Sequence, residues 1–485
     1  LLRMSPRTIA AALGIILIAF GAIVPTPVVV ALLYGEKQAV APFLVAAALS
    51  LGLGLLCSRY GHFGHNFDNI KRSEGLLIVT LCWILVAAIG AVPFVFFGLS
   101  PLDAYFESVS GFTTTGATIL LDFNLYPKAF FFWRSLTQWL GGMGIIVLSI
   151  AILPFLGIGG MELYKAETPS PVVDKLTPRI AETAKALWKI YIFLTLLMIL
   201  LLLGGGMTFY DALCHAFATL PTGGFSPKNA SVGHYASAYI DGVILVFMFV
   251  AGINFSLHYK LAHGNVRRFF RDPEFRVYAA FVFAFVFLVF ADVYGTVYPR
   301  VLEALRYASF QVVSILTTTG FATADFEQWP ALSQVILFCC MFLGSMAGST
   351  GGGIKIMRII LLAKHCYLEI FRIIHPHAVT MVKLGGVPVS QTIMRSIWGF
   401  FLLFIGLYIV GVIALAALGL DMVTSLTAMA SCLGNVGPGF GSVGPMDNYA
   451  GVPALGKWIL AFGMLLGRLE IYTILVLLIP AFGRK

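Results

Sequence analysis

Four short stretches of this chain break in the same way around a glycine. They read Thr113-Thr114-Thr115-Gly116-Ala117, Thr222-Gly223-Gly224-Phe225, Thr318-Thr319-Gly320-Phe321 and Asn435-Val436-Gly437-Pro438. None carries a fixed charge, and each is rich in small polar groups. Glycine accepts backbone dihedrals that other residues resist, so such segments can turn their carbonyl oxygens toward one point. A ring of carbonyls can substitute for the hydration shell of a monovalent cation. The candidate cation ligands are therefore Thr114, Thr115 and Gly116; Thr222, Gly223 and Gly224; Thr318, Thr319 and Gly320; and Asn435, Val436 and Gly437, with the ion held at the glycines.

The order of these breaks supports a common plan. Their glycines lie 108, 96 and 117 residues apart, and acidic residues Asp103, Asp211, Glu303 and Asp421 precede them by 13, 13, 17 and 16 residues. An acid opening a short helix satisfies unpaired N–H groups and complements the positive end of the dipole. The negative end then points toward the break, giving a cation site without a fixed charge. A lone Thr-Thr-Thr-Gly fits a small-residue packing face between membrane helices equally well; four copies with acidic openers favour the ion site. The third copy, with Glu303 for Asp and Arg306 nearby, has the least secure register.

A second run, Gly344-Ser345-Met346-Ala347-Gly348-Ser349-Thr350-Gly351-Gly352-Gly353, interrupts an apolar stretch. Glycine costs a helix up to about 1 kcal/mol relative to alanine, so this run predicts a non-helical segment inside the membrane. It lacks a preceding strand and a Gly-Lys-Ser/Thr ending, which argues against a phosphate loop. The readings left are a flexible gate below the cation ligands, built on Gly344, Gly348, Ser349, Thr350, Gly351, Gly352 and Gly353, or a passive kink. Lys355 lies just past it, after Ile354, where it would respond to the state of the gate. Arg468 lies ten residues into the apolar block at 459–480, and an arginine at that depth faces a cavity or a partner. It is expected to face the pore and touch the gate; the alternative is a structural pair, with Glu470 for instance. Arg134 and Gln138, one turn apart, are expected to brace the cation ligands rather than touch the ion.

The elements that position these groups must be membrane helices. The chain is 59% hydrophobic and 11% charged over 485 residues, against roughly 25% charged in ordinary globular proteins. Apolar blocks at 11–34, 191–203, 243–250, 277–290 and 459–480 approach or reach the ~20 residues that cross a bilayer. Ten crossings are expected, with two extra spans at 1–70 and four span–break–span units at 71–180, 181–270, 271–390 and 391–485. The fold class is all-α, polytopic, with four pseudo-repeats around one central pore. The net charge of +9 follows from basic loops concentrated on one side, at 165–189, 260–276 and 355–395 among others. That bias places both termini in the cytoplasm and leaves nucleic acid no role; contact with anionic membrane lipid explains the same strips. Seven cysteines show no paired metal-ligand spacing, and most of the nine histidines fall in or near loops, so a membrane-embedded enzyme is not expected.

These motifs resemble the Trk/Ktr/HKT superfamily of cation transporters, and within it the bacterial potassium-uptake branch. The likeness covers essentially the whole chain. It rests on Phe106-Glu107-Ser108 with residues 113–118, on Gln138-Trp139-Leu140-Gly141-Gly142-Met143-Gly144, on residues 178–185 and 347–355, and on Gly467-Arg468-Leu469-Glu470-Ile471. The resemblance implies K⁺ uptake at the inner (plasma) membrane, with Rb⁺ and Na⁺ as lesser cargo, because Gly116 occupies the position where some Na⁺-preferring members carry Ser. It implies a homodimer with one pore per subunit, the Gly-rich run as gate, and regulation by a TrkA-type cytosolic ring. That ring would hold the nucleotide; no cofactor is expected on this chain. A Na⁺- or H⁺-coupled symporter is the competing reading.

Overall fold

The computed structural model describes residues 5–61, 72–151, 176–378 and 380–478. The link expected at 59–69, the front of the basic strip at 165–189, and the basic residues Arg484 and Lys485 fall largely or wholly outside them.

The described chain is nearly all helix. Two N-terminal helices, α1 (Pro6–Ile23) and α3 (Val40–Gly61), flank the short α2 (Thr26–Leu33). Small residues bring α1 and α3 together: a Cβ added to Gly14 would lie 2.7 Å from the Ser58 nitrogen, and one on Gly61 would meet Ala11 at 2.5 Å. Close backbone approach of this kind replaces the hydrophobic drive that lipid removes.

The same order of elements then recurs four times. A long helix leads to a short one, a glycine break and a second apolar stretch. The long helices are α4 (Arg72–Phe96), α7 (Leu176–Gly204), α12 (Pro273–Val293) and α16 (Gln391–Ala417). The short ones are α5 (Pro101–Phe112), α8 (Phe209–Thr219), α13 (Val301–Leu316) and α17 (Met422–Gly434). Among the described residues six helices are long and apolar enough to span, or up to eight if two bent pairs each count as one.

The second stretches depart from expectation. Only the first, α6 (Lys128–Ala151), is continuous. In the second, α9 (Ala238–Ala251) and α10 (Phe255–Ala262) meet at 100°; in the fourth, α18 (Ala454–Arg468) and α19 (Tyr472–Leu478) meet at 117°. In the third, α14 (Ala331–Phe342) and α15 (Ile356–Ile374) are separated by the Gly/Ser run. Sequence reading anticipated the third interruption alone. The others have local causes: Asn254 starts a new helix by accepting the Ser256 N–H at 2.8 Å, and Glu470 takes a left-handed φ of 58°. A short α11 (Val266–Arg271) joins α10 to α12. A two-residue antiparallel ladder, Lys383–Leu384 with Val387–Pro388, turns through Gly385 and Gly386, both at positive φ, the geometry that tight hairpins require.

Candidate functional site: a four-glycine ring over a buried loop

Three of the four short helices begin at one register once their caps are identified. Ser100 caps α5 by accepting the Asp103 N–H at 3.1 Å, and Thr208 caps α8 by accepting the Asp211 N–H at 3.1 Å. Asp103, Asp211 and Glu303 therefore stand three residues inside their helices. Asp421 is itself the cap of α17 and accepts the Thr424 N–H at 3.0 Å. Counted from the caps Ser100, Thr208 and Asp421, the break glycines all lie 16 residues on. The uneven spacing of the fourth opener thus reflects its place in the cap. The third helix starts at Arg300, which gives no side-chain cap, and is longer by about one turn. The acids also find partners beyond the dipole: Lys457 Nζ lies 2.6 Å from Asp103, and Lys228 Nζ 3.2 Å from Asp211.

All four helices end alike. Thr114, Thr222, Thr318 and Asn435 adopt φ of 52°, 57°, 59° and 57°. Each next N–H bonds back to the carbonyl five residues earlier: Thr115 to Ser110 (2.9 Å), Gly223 to Ala218, Thr319 to Ser314 and Val436 to Ser431 (2.8 Å each). This left-handed cap closes the last helical carbonyls on themselves. The oxygens left to face outward are consequently those of the break residues beyond the helix. A β-branched residue at positive φ is rare and strained, and sequence reading assigned that conformation to the glycines alone.

Two residues later Gly116, Gly224, Gly320 and Gly437 also have positive φ, 84°, 80°, 81° and 106°. They close a ring. A Cβ on Gly116 would strike the Gly223 carbonyl oxygen, one on Gly224 that of Thr319, one on Gly320 that of Val436, and one on Gly437 would lie 2.6 Å from that of Thr115. Each glycine thus packs against the carbonyl preceding the glycine of the next unit. A polar recess, with Arg134, Lys228, Asp447 and Tyr449 on its walls, opens onto all four glycines.

Side chains hold this ring from behind. Gln138 Nε2 donates to the Gly223 carbonyl at 2.7 Å, and its Oε1 accepts from the Phe225 N–H at 3.0 Å. Arg134 and Glu107, both fully or almost fully buried, pair at 2.7 Å. Glu107 also accepts the Ile119 N–H at 3.0 Å, while the Arg134 guanidinium lies 3.9 Å from the Phe225 ring centre. Asn435 Nδ2 bridges Thr115 Oγ1 (3.0 Å) and the Met464 carbonyl (2.9 Å). Tyr449 Oη donates to the Gly437 carbonyl at 2.7 Å; sequence reading missed it, since nothing local distinguishes that tyrosine.

The Gly/Ser run packs against the same segments and lines no part of the recess. Gly352 N–H donates to Thr318 Oγ1 at 2.7 Å, and Thr350 Oγ1 donates to the Leu220 carbonyl at 2.9 Å. A Cβ on Gly344 or Gly352 would strike the carbonyls of Gly352 and Gly434 respectively, and one on Gly351 would strike Ser345. Gly348 and Gly353 take positive φ, and Ser349 Oγ donates to the Met346 carbonyl at 2.6 Å. Lys355 Nζ donates to the Gly351 carbonyl. Arg468 Nη1 donates to the Thr350 carbonyl at 2.6 Å from the last residue of α18. Glu470 pairs with Arg358 at 2.5 Å and not with Arg468. Glu107, Asp241 and Glu274 are buried as well as Glu470. The first two pair with Arg134 and Arg306, and Glu274 accepts backbone N–H groups.

Comparison with known proteins gives a consistent result. The TrkH family, described as cation transport protein, matches residues 50–482. The chain is 42% identical to the Trk system potassium uptake protein TrkH of Halomonas elongata, over 99% of this chain and 100% of that protein. It is 42% identical to the TrkH of Escherichia coli K12, over 99% of each chain. The crystal structure of the potassium transporter TrkH from Vibrio parahaemolyticus superposes with a TM-score of 0.91 at 39% identity, covering 99% of this chain and 100% of that one.

Proposed function

Because the chain belongs to the TrkH family of cation transport proteins, we propose that it takes up K⁺ across the inner (plasma) membrane through a channel-like pore. The observation that carries this reading is the closed ring of Gly116, Gly224, Gly320 and Gly437, each against the carbonyl of its neighbour. In this reading the carbonyls of Thr115, Gly223, Thr319 and Val436 replace water around the ion. The four units, 71–180, 181–270, 271–390 and 391–485, surround one pore, and the dipoles of α5, α8, α13 and α17 favour a cation at their C-terminal ends. The membrane potential drives entry, worth about 2.3 kcal/mol per charge per 100 mV.

The run 344–353 serves as the gate. It reaches three of the four units through Leu220, Thr318 and Gly434, and Arg468 holds it by the Thr350 carbonyl while placing a positive charge beside the path. Regulation by a cytosolic nucleotide-binding ring of the TrkA type, acting on basic cytoplasmic surfaces, and assembly as a homodimer complete the reading. No cofactor is assigned to this chain. Coupled symport with Na⁺ or H⁺ is the competing reading: of the buried acids, Glu107, Asp241 and Glu470 pair with arginines, and Glu274 is held by backbone N–H groups alone.

The test is cation flux into liposomes holding the purified chain. K⁺ and Rb⁺ should enter faster than Na⁺ and Li⁺, with removal of Na⁺ and a clamped pH leaving K⁺ flux unchanged. Gly116→Ser should narrow the preference. Equal entry of all four ions would reject the ring as filter, and loss of K⁺ flux without Na⁺ would favour the symporter.

A further inference from the structure

Glu274 stands in the first turn of α12, in a place where an acid normally complements its own helix and faces water. Asp272 already caps that helix, accepting the N–H groups of Glu274 and Phe275 at 3.0 Å each. The Glu274 side chain is turned elsewhere and is only 3% exposed. Its Oε1 accepts two backbone N–H groups from another part of the chain: Ala347 at 2.7 Å, inside the intramembrane loop, and Met357 at 3.1 Å, the second residue of α15. The first N–H groups of a helix have no internal partner, and Lys355, the cap of α15, offers no side-chain acceptor. Glu274 therefore performs for α15 the capping that α15 does not perform for itself.

We propose that Glu274 is a positioning residue that latches the intramembrane loop shut, one carboxylate oxygen holding both the loop's incoming leg and the first turn of the helix that leaves it. The inference rests on the gate reading above and adds the element that sets the loop's resting position. The loop's other anchors at this end join neutral backbone groups: Met346 N–H to the Gly252 carbonyl and Phe255 N–H to the Gly348 carbonyl, each at 3.1 Å. At Glu274 a single side-chain oxygen gathers two such bonds and so holds two points of the loop at once. Ala347 and Met357 bracket nine residues, including Thr350 and the triple glycine. The loop cannot leave the space below the ring by moving either leg without stretching a bond to that oxygen. A displacement of α15, which runs from the loop to Ile374, reaches the loop through the same atom.

The experiment is Rb⁺ uptake into liposomes by the full-length chain without partners, comparing wild type, Glu274→Ala, Glu274→Gln and Arg468→Gln. Reconstituted amount and folding are matched by size-exclusion profile. Loss of both bonds predicts that Glu274→Ala raises the initial rate about tenfold. Glu274→Gln keeps a side-chain acceptor of the same shape and should raise it less, and it serves where the alanine variant fails to fold. The Rb⁺/Na⁺ preference should stay at the wild-type value in both, because the ring is untouched; a residue of purely structural importance would lower the rate instead. If Arg468→Gln raises the rate and the folded Glu274 variants do not, the latch is wrong and the gate stands. If Arg468→Gln leaves the rate unchanged as well, the gate reading falls and takes the latch with it.

Discussion

At Gly116 a side chain meets two obstacles, a φ of 84° and the carbonyl oxygen of Gly223. The same holds around the ring, so Gly224→Ala should cut K⁺ flux at least about tenfold, since a small misplacement of preorganised ligands carries a large cost. Flux in liposomes measures it. Gln138 offers a finer probe. Gln138→Glu keeps the acceptor for the Phe225 N–H but loses the donor to the Gly223 carbonyl. With that carbonyl released, the K⁺/Na⁺ preference should fall by about threefold, the ring being a matter of ligand number and field. Behind it, the buried pair Glu107–Arg134 should be costly to halve. Glu107→Ala leaves an uncompensated guanidinium and should destabilise the chain by roughly 3–5 kcal/mol, visible as a lower midpoint in detergent thermal unfolding.

Among the short helices, the caps set the register and the left-handed ends set where the carbonyls point. Ser100, Thr208 and Asp421 do the first task. Replacing any one with Ala should cost about 1 kcal/mol, read as a lower unfolding midpoint with little change in cation preference. Asp421 adds a pH signature. It lies outside the membrane-spanning helices, and bonds from the Thr424 side chain and backbone hold its carboxyl below the ordinary value. A depressed folded-state pKa contributes stability that is complete above the unfolded value and is lost as pH falls through the folded one. The expected loss therefore falls in the acid range below about pH 4, is small because the group is exposed, and should vanish in Asp421→Asn. An unfolding series from pH 6 to 3 checks this.

Across the whole molecule, the few basic groups expected opposite the basic strips, Lys37, Lys128, Lys228, Arg300, Arg306 and Lys457, are largely partnered: Lys228 pairs with Asp211, Lys457 with Asp103 and Arg306 with Asp241, while Lys128 sits 3.7 Å over the Tyr34 ring. The positive-inside bias counts Lys and Arg and not net charge, so the orientation expected from the basic strips is tested directly at the C-terminus. A fluorescent protein fused after Lys485 should fold and fluoresce in cells, as a cytoplasmic terminus requires; a dark, exported fusion would reverse the orientation. The two large buried clusters share residues of α6 and α16 at their margins, so the units are packed as one body around the glycines.

The apolar blocks determined the class of the protein, since runs of that length have no other stable environment than lipid. The four Gly breaks and the Gly/Ser run were legible as sites because a helix cannot continue through them and lipid forbids exposed carbonyls. Other features depend on contacts between residues far apart in sequence, which local pattern does not encode. Which glycine faces which carbonyl is one; that Gln138 reaches Gly223, and Tyr449 reaches Gly437, are others. Glu470 as partner of Arg358, and the left-handed threonines forced by closure of the helix ends, belong to the same class. Glu274 is the clearest case. Asp-Pro-Glu reads in sequence as an ordinary helix start, and only the packing of α12 against the loop turns its carboxylate away from water and onto Ala347 and Met357.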